Sequence, residues 1–133
     1  MNRREIRTTI FKLVFAYEFN KNQVNIDTIN LLLENNKNVS LSEKKYILNK
    51  TDLLLKNINN IDDKIKKSAS NWKINRITKT DLAILRVGVF EILYDNDIDL
   101  KIAINEAVNI AKEYGTDKSS SFVNGILGNI ANG

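Results

Sequence analysis

At 133 residues, 43% of them hydrophobic, the chain can build one compact domain or two small subdomains sharing a core, and it is too short for a multidomain enzyme. It has no histidine and no cysteine, which removes thiolate nucleophiles, disulfides, Cys/His zinc sites and the commonest general acid/base; only carboxylates, lysines and hydroxyls remain for chemistry. Twenty Lys and Arg against sixteen Asp and Glu give a net charge of +4, a weak bias toward an acidic partner whose meaning lies in where the charges sit.

Helix breakers are scarce, with no proline and only five glycines, so helices are the first expectation along the whole chain. Ile6, Ile10, Leu13, Val14 and Tyr17 recur at helical spacing and Phe11 with Phe15 widens the stripe. This predicts a first helix over residues 4–19 packed by more than one neighbour. An Asn-rich loop, 20–25, precedes a second helix carrying Ile26, Ile29, Leu32 and Leu33, and a further loop at 35–38 follows it. Ser40 and Glu43 have capping-box spacing ahead of a long third helix with Tyr46, Ile47, Leu53 and Leu54, expected to end near Asn59.

Asn60 with Asp63 reads as the cap of a fourth helix bearing Ile61, Ile65, Ala69 and Trp72, with a polar connection at 73–79. Thr78 and Asp81 repeat the capping-box spacing before a strongly apolar fifth helix through Leu82, Leu85, Val89, Ile92 and Leu93. Gly88 inside it points to a close helix crossing or is merely tolerated. Asp99 is placed to cap a sixth helix with Ile102, Ala103, Ala107, Ile110 and Ala111, which Gly115 would end in a left-handed conformation. A seventh helix is expected over 118–131, with Phe122, Val123, Ile126, Leu127 and Ile130 on one face and Gly125 and Gly128 thinning it. No stretch of roughly 18 apolar residues exists to span a membrane, and the opening mixes Arg3, Arg4 and Arg7 with apolar residues unlike a secretory signal, so the cytoplasm is the expected compartment.

Three surface features bear on function. Arg3, Arg4 and Arg7 crowd the start of the first helix, where like charges oppose one another and the helix dipole unless an anion lies nearby. At about 100° per residue Arg4 projects close to Phe11 and Phe15, the mixture of guanidinium and aromatic face that single-stranded RNA uses; the plainer reading is a solvated basic start over two core phenylalanines. Lys64, Lys66, Lys67, Lys73, Arg76 and Lys79 form a second basic segment with no acidic residue from 64 to 79, either an electropositive track or a solvated helix face. Trp72 within it is a core anchor or a stacking platform. Asn105, Glu106 and Asn124 interrupt apolar patterns and suit internal hydrogen bonding between helices, since no nucleophile–base pair or metal-ligand cluster accompanies them. Asp95, Asp97 and Asp99 lack the glycine and terminal glutamate of a calcium loop, so no metal and no cofactor is expected.

Taken together, Arg3-Arg4-Glu5-x-Arg7 with Lys12-Leu13-Val14-Phe15, then 81–86 (DLAILR), Glu91-Ile92-Leu93, 103–108 (AINEAV) with Ala111-Lys112, and 122–127 (FVNGIL), make the chain resemble the NusB family of bacterial transcription antitermination factors nearly end to end. The resemblance implies an all-α, seven-helix NusB-like fold in two helical subdomains, 1–59 and 60–133, without enzymatic activity. It implies binding of the boxA element of ribosomal RNA leader transcripts together with the small-subunit ribosomal protein NusE, and help in loading an antitermination complex on RNA polymerase. Some members self-associate as homodimers.

Carried onto this chain, the resemblance assigns RNA contact to Arg3, Arg4 and Arg7, extended by Lys12. It also assigns a second RNA area to Trp72, Lys73, Lys118, Ser119 and Phe122, of which Phe122 equally suits the core. Asp81 is the implied partner-interface residue, in competition with its helix-capping role, while Arg86, Glu91, Asn105 and Glu106 organise the helices. Departures from the family pattern are Thr8 and Thr9 for alanines, Lys12 for a glutamine and Asp99 for a proline; Lys12 adds positive charge, so RNA affinity persists while base discrimination changes. A protein-interaction module with only minor RNA contact is the competing reading. An RNA-binding head of the kind attached to a methyltransferase is a more distant one, because the chain shows no catalytic domain.

Overall fold

The computed structural model describes residues 1–20, 26–33, 38–69 and 74–133, together with the backbone but not the side chain of Ile26. Among the described residues there are seven α-helices, one 3₁₀ turn at Ile74–Arg76 and no strand. The helices are α1 (Arg3–Phe19), α2 (Ile26–Leu32), α3 (Leu41–Lys56), α4 (Ile58–Ser68), α5 (Lys79–Tyr94), α6 (Leu100–Tyr114) and α7 (Ser119–Asn132). They fall into two compact units, Met1–Lys56 and Asn57–Gly133.

In the N-terminal unit α1 packs against α2 and α3, and α2 against α3. Both long helices begin with a reciprocal cap. The Glu5 amide donates to Asn2 Oδ1 at 2.8 Å while the Asn2 amide donates to Glu5 Oε1 at 3.0 Å. In α3 the Glu43 amide donates to Ser40 Oγ at 3.1 Å and the Ser40 amide to Glu43 Oε1 at 3.0 Å. Each box satisfies amides that have no partner inside the helix. The core is short: Ile10, Phe11, Leu13, Val14, Ile29, Ile47 and Leu54 are buried, whereas Phe19, Leu31, Leu32, Leu41, Tyr46 and Leu53 are exposed. Tyr46 and Leu53 therefore lie off the buried stripe of α3, on which Ile47, Thr51 and Leu54 follow one another at helical spacing.

In the C-terminal unit α5 packs against α4, α6 and α7, and every residue from Asp81 to Glu91 is buried. A helix enclosed on several sides needs apolar residues all round, which explains why its pattern is so dense. Two contacts fix it. The Arg86 guanidinium makes a paired hydrogen bond to Asp62 on α4, Nε to Oδ1 at 2.9 Å and Nη2 to Oδ2 at 2.8 Å. On another side Gly88 meets α7 so closely that a Cβ would stand 2.6 Å from Leu127 Cδ1, so the glycine marks a helix crossing.

Four local expectations change. α3 ends at Lys56 and α4 begins at Ile58 after Asn57, so Asn60 is not a cap; its side chain hydrogen-bonds the Tyr94 hydroxyl instead. Asp99 stands at the N-cap of α6 but makes no side-chain cap bond. Gly115 ends α6 with φ −93° and ψ −165°, an extended conformation open to any residue, and the reason for glycine is space: a Cβ there would lie 2.8 Å from the Ala111 carbonyl oxygen and collide with Ser119. Leu93 and Ile102, read as part of apolar stripes, are exposed, because α5 and α6 bury the faces marked by Val89 and Phe90 and by Ala103 and Ala107.

Candidate nucleic-acid interface and partner face

The first turn of α1 presents Arg3 and Arg4 on the surface, and Lys12 lies exposed two turns further along. Arg7 departs from them. It is 7% exposed, because Arg7, Ile10, Phe11 and Val14 occupy the i, i+3, i+4 and i+7 positions of one buried stripe. The three-arginine surface expected from sequence thus reduces to two arginines and a lysine, with Arg7 belonging to the interior. The aromatic part of that surface changes as well. Phe11 is buried, Phe15 half-buried and Phe19 exposed, with successive ring centroids 6.4 Å and 5.0 Å apart. Phe11 is a core residue whose ring begins a ladder that surfaces only at the far end of α1.

The second predicted area is divided. Trp72 and Lys73 lie outside the described residues, so neither reading of Trp72 is decided. Lys118 is exposed at the start of α7 and Phe122 is half-buried. Ser119 is only 2% exposed, and its hydroxyl accepts a bond from the Thr116 amide at 2.9 Å, tying down the turn that Gly115 makes room for. Burial takes Ser119 out of a phosphate-contacting surface and makes it a local tether. Of the basic segment that follows α4's start, Lys64, Lys66, Lys67, Arg76 and Lys79 are exposed, and Lys67 pairs with Asp63 at 3.1 Å. These residues lie in the C-terminal unit, whereas Arg3, Arg4 and Lys12 lie in the N-terminal one.

Asp81 combines two properties that sequence left in competition. Its amide donates to Thr78 Oγ1 at 3.1 Å, so Thr78 caps α5, but the return half of the box is absent. The carboxylate is nine-tenths buried and its Oδ1 has no hydrogen-bond partner among the described residues. A buried acceptor left unsatisfied costs roughly 1–3 kcal/mol, so this position is one where a donor from another molecule would gain most. Arg86 and Glu91 are buried on the same helix, Glu106 is half-buried, and Asn105 and Asn124 are exposed on α6 and α7, which removes the buried cross-link for those two asparagines.

Two participants escaped the sequence reading. Asp62, the carboxylate on Arg86, could have been inferred from the need of a buried guanidinium for a counter-ion on the preceding helix. The α-amino group of Met1 reaches Glu43 Oε2 at 2.6 Å, and no residue pattern signals a terminal amine. That pairing pulls the Glu43 carboxyl down to about 2 and raises the amine above its ordinary value, the hydrogen bond between them being the largest cause in each case.

Among the described residues no group of acidic side chains could hold a metal, and no helix is long and apolar enough to cross a membrane. The described residues thus form an all-helical scaffold with exposed basic positions in both units and a buried acceptor at the start of α5. The chain belongs to the NusB family, whose sequence profile spans residues 4–132 and whose members are noncatalytic transcription antitermination factors. It is 39% identical to the transcription antitermination protein NusB of Agathobacter rectalis over 98% of this chain and 100% of that one. It is 42% identical to that of Clostridium acetobutylicum over 99% and 96%. Among solved structures it superposes on T. maritima NusB with a TM-score of 0.88 at 32% identity, covering 99% of this chain and 92% of that one. It shares its fold, at a TM-score of 0.83 and 24% identity, with a chain in the crystal structure of antitermination factors NusB and NusE in complex with dsRNA, over 98% of this chain and 96% of that one.

Proposed function

We propose that this protein is an RNA-binding antitermination adaptor of the cytoplasm that holds boxA-containing leader RNA together with the ribosomal protein NusE and helps load an antitermination complex on RNA polymerase. The observation that carries the RNA part is the exposure of Arg3, Arg4 and Lys12 along α1 in a chain of the NusB family. Fixed cations on a helix surface suit a phosphate backbone, and a fold neighbour occurs in a structure that also holds NusE and RNA. Lys118 and Phe122, with Trp72 and Lys73, are the proposed second RNA area. Asp81 is the proposed receptor for a donor from NusE, supported by its unsatisfied Oδ1.

The test is a co-titration of the chain, NusE and a boxA-containing RNA, with a scrambled RNA as control. Arg3→Glu with Arg4→Glu is expected to abolish retention of the boxA RNA while circular dichroism stays helical, and binding by the unchanged chain is expected to weaken steeply with salt. Arg7 is left alone in this test because its burial would confound folding with contact. Unchanged RNA affinity in the double variant would remove α1 from the RNA surface. If the variant still binds NusE and the complex still assembles, the chain acts chiefly through its protein face, the reading that the buried acceptor at Asp81 favours.

A further inference from the structure

On α1, Arg4, Thr8, Lys12, Phe15 and Phe19 follow one another at i, i+4, i+8, i+11 and i+15. At about 100° per residue these positions fall within about 80° of one another, and no acidic residue of the helix falls inside that strip. Arg4 and Lys12 are exposed, Thr8 and Phe15 half-buried, and Phe19 is 61% exposed. At about 1.5 Å of rise per residue the Cα of Lys12 stands about 12 Å along the axis from that of Arg4, and that of Phe19 about 10 Å further on. The Phe19 ring is mounted on the interior. Its centroid lies 5.0 Å from that of Phe15 at an interplanar angle of 62°, edge to face, and Phe15 in turn lies 6.4 Å from the buried Phe11. Edge-to-face contact favours one orientation of an aromatic pair through the ring quadrupoles, so the core of the unit sets the pose of a ring that stands in solvent.

We propose that Phe19 is a base-stacking platform at the far end of an RNA path along α1: Arg4 and Lys12 hold phosphates of a single strand, and an unpaired base beyond them lies on the Phe19 ring. This rests on the RNA-binding reading of α1. The chemistry of the strip favours a nucleic acid over a protein. Cations and an aromatic face in line, with no carboxylate between them, meet the two features every nucleotide has, an anionic backbone and a π-face. An apolar protein surface laid on the same strip would desolvate Arg4 and Lys12 without supplying a counter-charge. Every base has a face to stack, so Phe19 adds affinity with little choice of base.

The experiment measures boxA RNA binding, with NusE present, by the unchanged chain, Phe19→Ala, Phe19→Leu and Phe19→Trp. It is run across a salt series and across a set of RNAs each lacking one base but keeping the sugar and phosphate. F19A is expected to bind about five- to thirtyfold more weakly at an unchanged salt slope, since a π-face is lost and no cation is. F19L should stay close to F19A, because it restores apolar bulk without a face to stack on, and F19W should bind at least as tightly as the unchanged chain. Lys12→Gln, by contrast, should make the salt slope shallower. One abasic RNA should lose affinity for the unchanged chain yet bind F19A no more weakly than the complete RNA does, because both changes remove the same contact. F19A binding equal to that of the unchanged chain overturns the proposal, as does full affinity in F19L, which would make the residue an apolar contact only. A loss in F19A that adds to that of every abasic RNA also overturns it. So does an F19A chain that keeps its RNA affinity but loses NusE or a self-association shown by the unchanged chain, which would give this end of α1 to a protein. If the unchanged chain with NusE retains no boxA RNA, the RNA-binding reading falls and this inference with it; retention abolished by Arg3→Glu with Arg4→Glu but unaffected by F19A sinks the inference alone.

Discussion

The two units hold together by different means. The C-terminal one is organised around α5, whose central eleven residues, Asp81 to Glu91, are all buried and whose Arg86, its side chain 6% exposed, makes the ionic contact to Asp62 on α4. The N-terminal one has a short apolar core, leaves six large hydrophobic residues exposed, and gathers its named polar interactions at the helix starts: two capping boxes and the bond between the Met1 amine and Glu43. Buried packing is little affected by salt but intolerant of truncation. Contacts at helix ends are individually weak and respond to solution conditions. The unit bearing the proposed RNA face is thus the one whose local order responds to charge, the variable that RNA binding itself changes.

The largest effect that would test this contrast is expected at the Arg86–Asp62 pair. Asp62→Ala removes the paired hydrogen bonds that the Arg86 guanidinium, its side chain 6% exposed, makes to α4, and should cost about 2–3 kcal/mol of C-terminal-unit stability by urea denaturation. Replacing both partners together by Leu and Met should recover part of that loss, since neither ionic group is then desolvated at the contact. A loss below about 0.5 kcal/mol would place the pair among ordinary surface ion pairs and dissolve the contrast.

Two glycines sharpen it at a smaller scale. At Gly88 a methyl group meets the fully buried Leu127 side chain, whose methyls must shift to admit it, so Gly88→Ala should destabilise by about 1–2 kcal/mol despite alanine's better helix propensity. At Gly125 a Cβ would meet nothing within 4 Å among the described residues, so Gly125→Ala should raise the unfolding midpoint, gaining about 0.5–1 kcal/mol from propensity alone. Equal effects at the two positions would mean that the α5–α7 crossing is not a tight one.

Much of the helical layout was legible because breakers are few and the apolar stripes of α1, α5 and α7 recur at helical spacing. The site was less legible, for reasons of geometry. Arg7 looked like a member of a surface cluster because charge marks solvent exposure on average, yet its position on the stripe of Ile10, Phe11 and Val14 assigns it inward. Gly115 looked like a left-handed cap, whereas its role is clearance for Ser119, a residue four positions ahead that no local rule pairs with it. The pairings Arg86–Asp62 and Met1–Glu43 span 24 and 42 residues of chain, so local spacing does not single out either pair, although a buried guanidinium does call for a counter-ion. Periodicity reports which face of a helix is buried, not which charged residue of another helix meets it.

The smallest expected effect is the pH response of the N-terminal unit, and it has two arms of opposite direction. The Glu43 carboxyl sits at about 2 in the folded chain against an ordinary 4.5, so its contribution is complete above 4.5 and is lost as the pH falls toward about 2. The Met1 amine is raised above 8.0, so its contribution is complete below 8.0 and is lost as the pH climbs past the folded value. Amide hydrogen exchange in the first turns of α1 and α3, corrected for intrinsic rates, should therefore be slowest between roughly pH 5 and 8 and should accelerate on either side. The amides of α5 serve as the internal reference, since its residues from Asp81 to Glu91 are buried. E43Q should flatten both arms at once, because the acid arm titrates Glu43 and the alkaline arm titrates its partner. An alkaline arm that survives E43Q would mean that the amine is held by Glu5 instead, the other carboxylate that acts on it, and would shift the anchoring of the arginine-bearing turn from α3 to α1 itself.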